Sequence, residues 1–191
     1  MARAYHTGGV SRVNGKRGVD VQKELPIRKH PRLKGYAYSK NGAYFITICV
    51  KDKHNLLGTV VGRDVFIAPT VKLSEYGNVV DKHINKINSL GKGAVVDKYV
   101  IMPNHVHMLI MIENEIIGCI SGAMKTSRPT TIPNLLRSFK TMVSKEIGVS
   151  LWQTSYHDHI IRDETDYLRI WQYIDENPVK WTEDKYYSEK G

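Results

Sequence analysis

Apolar residues recur along this chain in two periods, and the alternation between them outlines a small mixed domain. Ala43–Val50 (AYFITICV) is β-branched and aromatic, which predicts a strand. Residues 54–72 contain short β-prone pieces around Gly62-Arg63 and predict a small hairpin. Between Leu73 and Leu90 the apolar positions fall at 76, 79, 80, 84 and 87, a helical spacing that opens on Ser74 as a cap. Ala94–Met102 and His105–Ile112 are two apolar runs separated by Pro103-Asn104, a turn pair that predicts adjacent antiparallel strands. The polar stretch 113–131 carries Gly118, Gly122 and Pro129 and reads as a flexible connection. Pro133–Ile147 is amphipathic and ends at Gly148. A short strand at His157–Ile161 precedes a last helix over Thr165–Asn177, closed by Pro178.

The order strand, helix, two strands, helix, strand, helix is most simply a βαββαβ core. The expected class is therefore α+β: a ferredoxin- or RRM-like antiparallel sheet with helices on one face. A further C-terminal helix carries a cluster of aromatic residues. The last helix groups Tyr167, Leu168, Ile170, Trp171 and Ile174 in one broad apolar arc, expected to face the core. Tyr173 and Asn177 fall beyond its border, one turn apart.

Charge divides the 191 residues into two parts. Residues 1–34 hold nine Lys/Arg against two acidic residues, a net of +7. The remainder holds 19 basic and 17 acidic side chains, a net of only +2. We therefore expect a basic, partly flexible arm at 1–34 and a single domain over 35–191. The arm lacks an amphipathic apolar face, so its charge suits nucleic acid better than a membrane surface, or serves simply as a solvated tail. No apolar stretch approaches the ~20 residues of a membrane span, and residues 1–18 lack the apolar region of a secretory signal. Cys49 and Cys119 stand in apolar contexts without CxxC spacing, so two reduced thiols in a cytoplasmic protein are expected.

The candidate chemistry begins in the strand YVIMPNHVHMLIMI at 99–112. Alternate residues of a strand share a face, so His105 and His107 point one way and Val106 the other. Two adjacent imidazoles suit a divalent metal, and equally suit a pair of hydrogen-bonded histidines on a half-exposed sheet. Asn177 offers an oxygen ligand one turn from the Tyr173 phenol; helix geometry alone reads it as a cap before Pro178.

Three segments together carry a resemblance: RLKGYAYSKNGAYFITICV, PNHVHMLIMI and LWQTSYHDHIIRDETDYLRIWQYIDENPVKW. Over residues 28–181 the chain resembles single-tyrosine HUH transposases, specifically their REP-associated tyrosine transposase branch. The resemblance implies His105 and His107 as the His-hydrophobic-His metal ligands. It implies Asn177 as the third ligand and Tyr173 as the nucleophile. It further implies Mg²⁺ or Mn²⁺ as cofactor, hairpin-bearing single-stranded DNA as substrate, a 5′-phosphotyrosine intermediate, and a monomer or homodimer. Arg137, Lys140, Arg162 and Arg169 are candidate phosphate contacts, and Tyr156 a candidate base-stacking ring. His157, Asp158 and His159 are read as folding-related hydrogen-bonding residues. Two other readings remain: a domesticated, non-catalytic single-stranded nucleic-acid binder, and a metal-dependent hydrolase. The second is disfavoured in the sequence by the lack of further Asp or Glu near the histidine pair.

Overall fold

A computed structural model describes residues 35–62, 68–90, 93–114 and 129–189. The basic arm at 1–34, Cys119 and most of the polar connection lie outside them. The strands are β1 (Gly42–Cys49), β2 (Gly58–Val61), β3 (Thr70–Leu73), β4 (Ala94–Met102), β5 (His105–Ile112) and β6 (His157–Ile160). The helices are α1 (Glu75–Ser89), α2 (Ile132–Ile147) and α3 (Glu164–Glu176). The main sheet has the order β4-β5-β1-β6 with every neighbouring pair antiparallel, and β2 and β3 form a separate hairpin. Taking the four main strands in chain order, the second, third, first and fourth lie side by side, as the βαββαβ expectation requires.

Both central strands are buried on both faces, which is why they read as almost continuous apolar runs rather than alternating ones. Their residues still divide by parity. Ile46, Ile48, Val106, Met108 and Ile110 join the larger core beneath α1 and α2. Ala43 and Leu109 face the other way, against Ile170 and Ile174 of α3. The pairing of Thr47 with His107 and of Cys49 with His105 places these four side chains on the α3 face.

Local sequence accounts for the element ends. Ser74 Oγ accepts the Gly77 N–H at 3.1 Å, Thr131 Oγ1 accepts the Asn134 N–H at 3.3 Å, and Asp163 Oδ1 accepts the Asp166 N–H at 2.8 Å. Gly148 ends α2 at φ 82°, the left-handed conformation that a side chain disfavours. In β4 the register slips between Val96 and Lys98. At this bulge Asp97 accepts a hydrogen bond from Tyr167, and Lys98 pairs with Asp175 at 2.6 Å while lying 3.6 Å from the centre of the Trp171 ring. The bulge thus fastens α3 to the sheet.

One expectation needs correction. Leu168 and Trp171 are not core residues: they are 58% and 39% exposed. The buried line of α3 is instead Ile170, Ile174 and Asn177, which rotates the half-buried Tyr173 towards the sheet. Hydrophobicity marked an arc, but its centre is set by where the bulge and the C-terminal segment hold the helix.

Gly77 illustrates a tight approach. It is buried in α1, and a Cβ there would lie 2.1 Å from the Leu57 carbonyl oxygen, a backbone atom. Gly→Ala inside a helix ordinarily gains ~1 kcal/mol. Here Gly77→Ala is expected to lose about 2–4 kcal/mol, read as a lower midpoint in urea with an unchanged slope.

Candidate active site

The site is assembled on the α3 face of the sheet from β5, α3 and the chain that follows α3. His105 and His107 project from β5 and are both fully buried. Their Nε2 atoms lie 2.9 Å apart. Asn104 Oδ1 sits 2.9 Å from Nδ1 of His105, and Thr47 Oγ1 sits 2.8 Å from Nδ1 of His107. The Tyr173 phenol lies 3.3 Å from His107 Nε2 and donates to Asp184 Oδ2 at 2.9 Å. Asn177 Nδ2 donates to the same carboxylate oxygen at 2.9 Å. The whole arrangement lies within one chain.

Asp184 is the residue that sequence reasoning missed. It follows a short 3-10 turn, Trp181–Glu183, and the chain there is pinned across the site. Asn104 Nδ2 donates to the Tyr186 carbonyl, Asn55 Nδ2 to that of Ser188, and the Tyr186 N–H to Asp184 Oδ1. The Tyr186 ring packs 4.8 Å from the His105 ring, and Trp181 lies beyond it at 5.8 Å. The sequence near the histidine pair lacks a carboxylate, but the fold brings one from 77 residues further along the chain. No periodicity marks Asp184; the one usable hint was the aromatic density of WTEDKYY.

His105, His107 and Asp184 each offer a ligand atom, all within 4.8 Å of one another, and form the one such cluster among the described residues. Asn177 adds a test of the fit. Its amide orientation is set by the bond from Nδ2 to Asp184, and its Oδ1 is buried with no hydrogen-bond partner. An orphaned buried carbonyl oxygen is costly unless something electropositive meets it. Two imidazoles, a carboxylate and an amide oxygen fit Mg²⁺ or Mn²⁺ in donor type, with Mn²⁺ the better match to the nitrogens.

The electrostatics follow from burial. Desolvation lowers the pKa of His105 well below its usual value, with His107 adding to the effect. His107 is lowered by burial against the opposing pull of Asp184. Both rings are therefore neutral at pH 7, the form that offers a lone pair. Burial acts to raise Asp184, but His107, 3.9 Å away, together with the N–H donors of Tyr186 and Asn177, outweighs it and holds the carboxyl well below its ordinary range. Tyr173 is pushed well above 10, first by burial and then by the charge of Asp184.

These shifts have a fixed sign in the metal-free protein. A histidine held neutral by the fold stabilises fully above its unfolded pKa of ~6.5 and loses that contribution as pH falls below it. The melting temperature in EDTA is expected to fall from pH 7 to pH 5, and to fall less in a His105→Gln/His107→Gln variant. An equal fall in both proteins contradicts the assignment.

The other candidates are distributed over both faces. Arg169 lines a cavity of about 450 Å³ together with Phe45, Ile170, Tyr173, Asn177 and Asp184. It also pairs with Asp166 at 2.5 Å, which in turn meets His159 at 2.7 Å. Arg162 is exposed in the turn before α3. Arg137 and Lys140 lie on α2, across the sheet from Tyr173, and are not brought to the site. Lys140 Nζ donates to the carbonyls of Gln153 and Ser155, both at 2.8 Å. Tyr156 is buried in the α1/α2 core. Asp158 accepts from Tyr38 at 2.6 Å, on the same side.

Residues 38–177 match the family described as "Transposase IS200 like". The chain belongs to that transposase family. A Haemophilus influenzae protein of uncharacterised function is 36% identical over 174 residues, covering 84% of this chain and 93% of its own. A second H. influenzae protein, described as a candidate REP-associated tyrosine transposase, is 26% identical over 152 residues, covering 75% and 73%. Among solved structures, a REP-associated tyrosine transposase bound to a REP hairpin superposes with a TM-score of 0.52 at 21% identity, covering 78% of this chain and 74% of that one. That likeness concerns the fold. Among the described residues no helix is long and apolar enough to cross a membrane.

Proposed function

We propose that this transposase-family protein cuts and rejoins single-stranded DNA through Tyr173, and that it acts next to hairpins. The observation that carries the proposal is the position of the Tyr173 phenol, 3.3 Å from a buried histidine pair within one chain. A tyrosine with only a packing role has no need of a carboxylate and an imidazole at its hydroxyl. The hairpin substrate is supported by the related structure, which holds a REP hairpin. Arg169 and Arg162 are suited to the neighbouring backbone phosphates.

His105, His107, Asp184 and the Asn177 carbonyl oxygen would hold a divalent ion. Such an ion would polarise the scissile phosphate and offset the charge that opposes a phenolate. The remaining chemistry belongs to the chain. Tyr173 Oη forms a bond to phosphorus and the bond from phosphorus to the 3′-oxygen breaks. The phenolic proton passes to solvent as the bond forms, the hydroxyl being oriented by its hydrogen bond to Asp184 Oδ2, and the departing 3′-oxygen gains a proton from solvent. The product is a 5′-phosphotyrosine and a free 3′-hydroxyl. One phosphodiester is exchanged for another, so attack by a new 3′-hydroxyl rejoins the strand without ATP.

A hydrolase reading gains from the structure, because Asp184 provides the carboxylate that the local sequence lacks. In that reading water, not Tyr173, attacks. Incubation with a hairpin-flanked single strand and Mn²⁺, followed by denaturing electrophoresis and peptide mapping, separates the readings. A covalent adduct on Tyr173 is expected. Cleavage with no adduct at any time indicates the hydrolase, and binding with neither indicates a non-catalytic binder.

A further inference from the structure

Asn104 sits in the two-residue connection between β4 and β5, where Asn is ordinarily favoured because it tolerates a positive φ. That explanation fails here: among the described residues the non-glycine positions with positive φ are Asp52 and Lys53. The side chain is what the position uses. Asn104 is 1% exposed, and its Nδ2 donates to the Tyr186 carbonyl at 3.0 Å and to the Lys53 carbonyl at 3.3 Å. Both amide hydrogens are thereby spent on carbonyl oxygens, so the group facing His105 at 2.9 Å is Oδ1, which only accepts. Nδ1 of His105 must then carry the proton, and Nε2 is left as a bare lone pair.

We infer that Asn104 is a positioning residue that fixes the tautomer of His105 and so presents Nε2 to a metal ion. The inference rests on the metal reading above. The second histidine differs: its Nδ1 meets the Thr47 hydroxyl, which turns to donate or to accept. The proton in the 2.9 Å contact between the two Nε2 atoms therefore belongs to His107, and Thr47 lets that ring change tautomer when an ion displaces it. One ligand is locked and the other is adaptable. Because the same amide holds the Tyr186 carbonyl, Asn104 also ties the segment bearing Asp184 to the histidine strand.

The test uses ¹⁵N-histidine NMR on the metal-free protein and Mn²⁺ calorimetry on the full chain, with Asn104→Leu and Asn104→Asp. In the wild type His105 is expected as the Nδ1–H tautomer. Asn104→Leu should move it towards Nε2–H and weaken Mn²⁺ binding about 10–100-fold. Asn104→Asp keeps an acceptor at Nδ1, so it should keep the Nδ1–H signature although it loses both bonds that Nδ2 donates. A wild-type His105 protonated on Nε2 overturns the inference, as does an aspartate variant whose His105 moves to Nε2–H as in the leucine variant. These outcomes stand even where the leucine variant fails to fold. A tautomer that responds as stated in a wild type that binds no Mn²⁺ upholds the positioning role and removes the metal reading. Tight Mn²⁺ binding with an unresponsive tautomer does the reverse.

Discussion

Tyr173→Phe is expected to remove strand cleavage and the covalent adduct together, by about 10³-fold or more, because a residue that forms the intermediate has no substitute. The fold should survive the change. The phenyl ring keeps its edge-on contact with Phe45 at 5.8 Å and with His107 at 5.2 Å. Only the hydroxyl is lost, and with it the 3.3 Å contact with His107 and the bond to Asp184, which retains donors from Asn177 and from the Tyr186 N–H. DNA affinity should therefore change little, so a gel-shift assay and a cleavage assay on one preparation should diverge sharply. Retained cleavage in this variant would assign the attack to water.

His107→Ala should show the second large effect, a loss of Mn²⁺ affinity beyond about 100-fold, since removing a ligand exceeds the cost of disturbing its supports. His107 stands at the centre of the cluster. Its Nε2 is 2.9 Å from His105, 3.3 Å from Tyr173 and 3.9 Å from Asp184. Calorimetry is the direct readout. Asp184→Ala offers an informative contrast, because the carboxylate acts in two directions. On the proposed reading it would supply a ligand, and its charge adds to burial in keeping the Tyr173 phenol protonated. Its removal should weaken Mn²⁺ binding while lowering the pH at which Tyr173 ionises. His107→Ala lacks the second effect. Undiminished Mn²⁺ affinity in Asp184→Ala would show that Asp184 is not a ligand, and unchanged ionisation of Tyr173 would remove its hold on the phenol.

Much of this was legible along the chain, and the physical reasons differ by element. Strand periodicity put His105 and His107 on one face, because side chains on a pleated strand alternate whatever the partner strand does. Caps at Ser74 and Gly148 are local interactions over three or four residues, so they also read directly. The element order constrained the sheet, and antiparallel hairpin pairing of β4 with β5 followed from a two-residue turn. Tyr173 and Asn177 stood out as a pair one turn apart.

What only the tertiary structure decided depends on contacts between residues distant in sequence. The orientation of α3 was misjudged because hydrophobicity locates an apolar arc without saying how far a cation and a bulge will rotate it. Trp171 is covered from outside by Lys98 rather than from inside by the sheet. Asp184 became part of the site only when the chain after α3 folded back over the histidines, a placement fixed by side-chain bonds from Asn55 and Asn104. Asn104 looked like a turn residue until its amide was seen spanning two segments. The residue types and their faces were thus determined by the sequence itself, since they follow from backbone geometry. The arrival of Asp184 beside the histidines, the hydrogen-bond partners of each ring and the half-buried setting of Tyr173 were decided by tertiary packing, because burial and hydrogen-bond partners exist only once the chain has closed on itself.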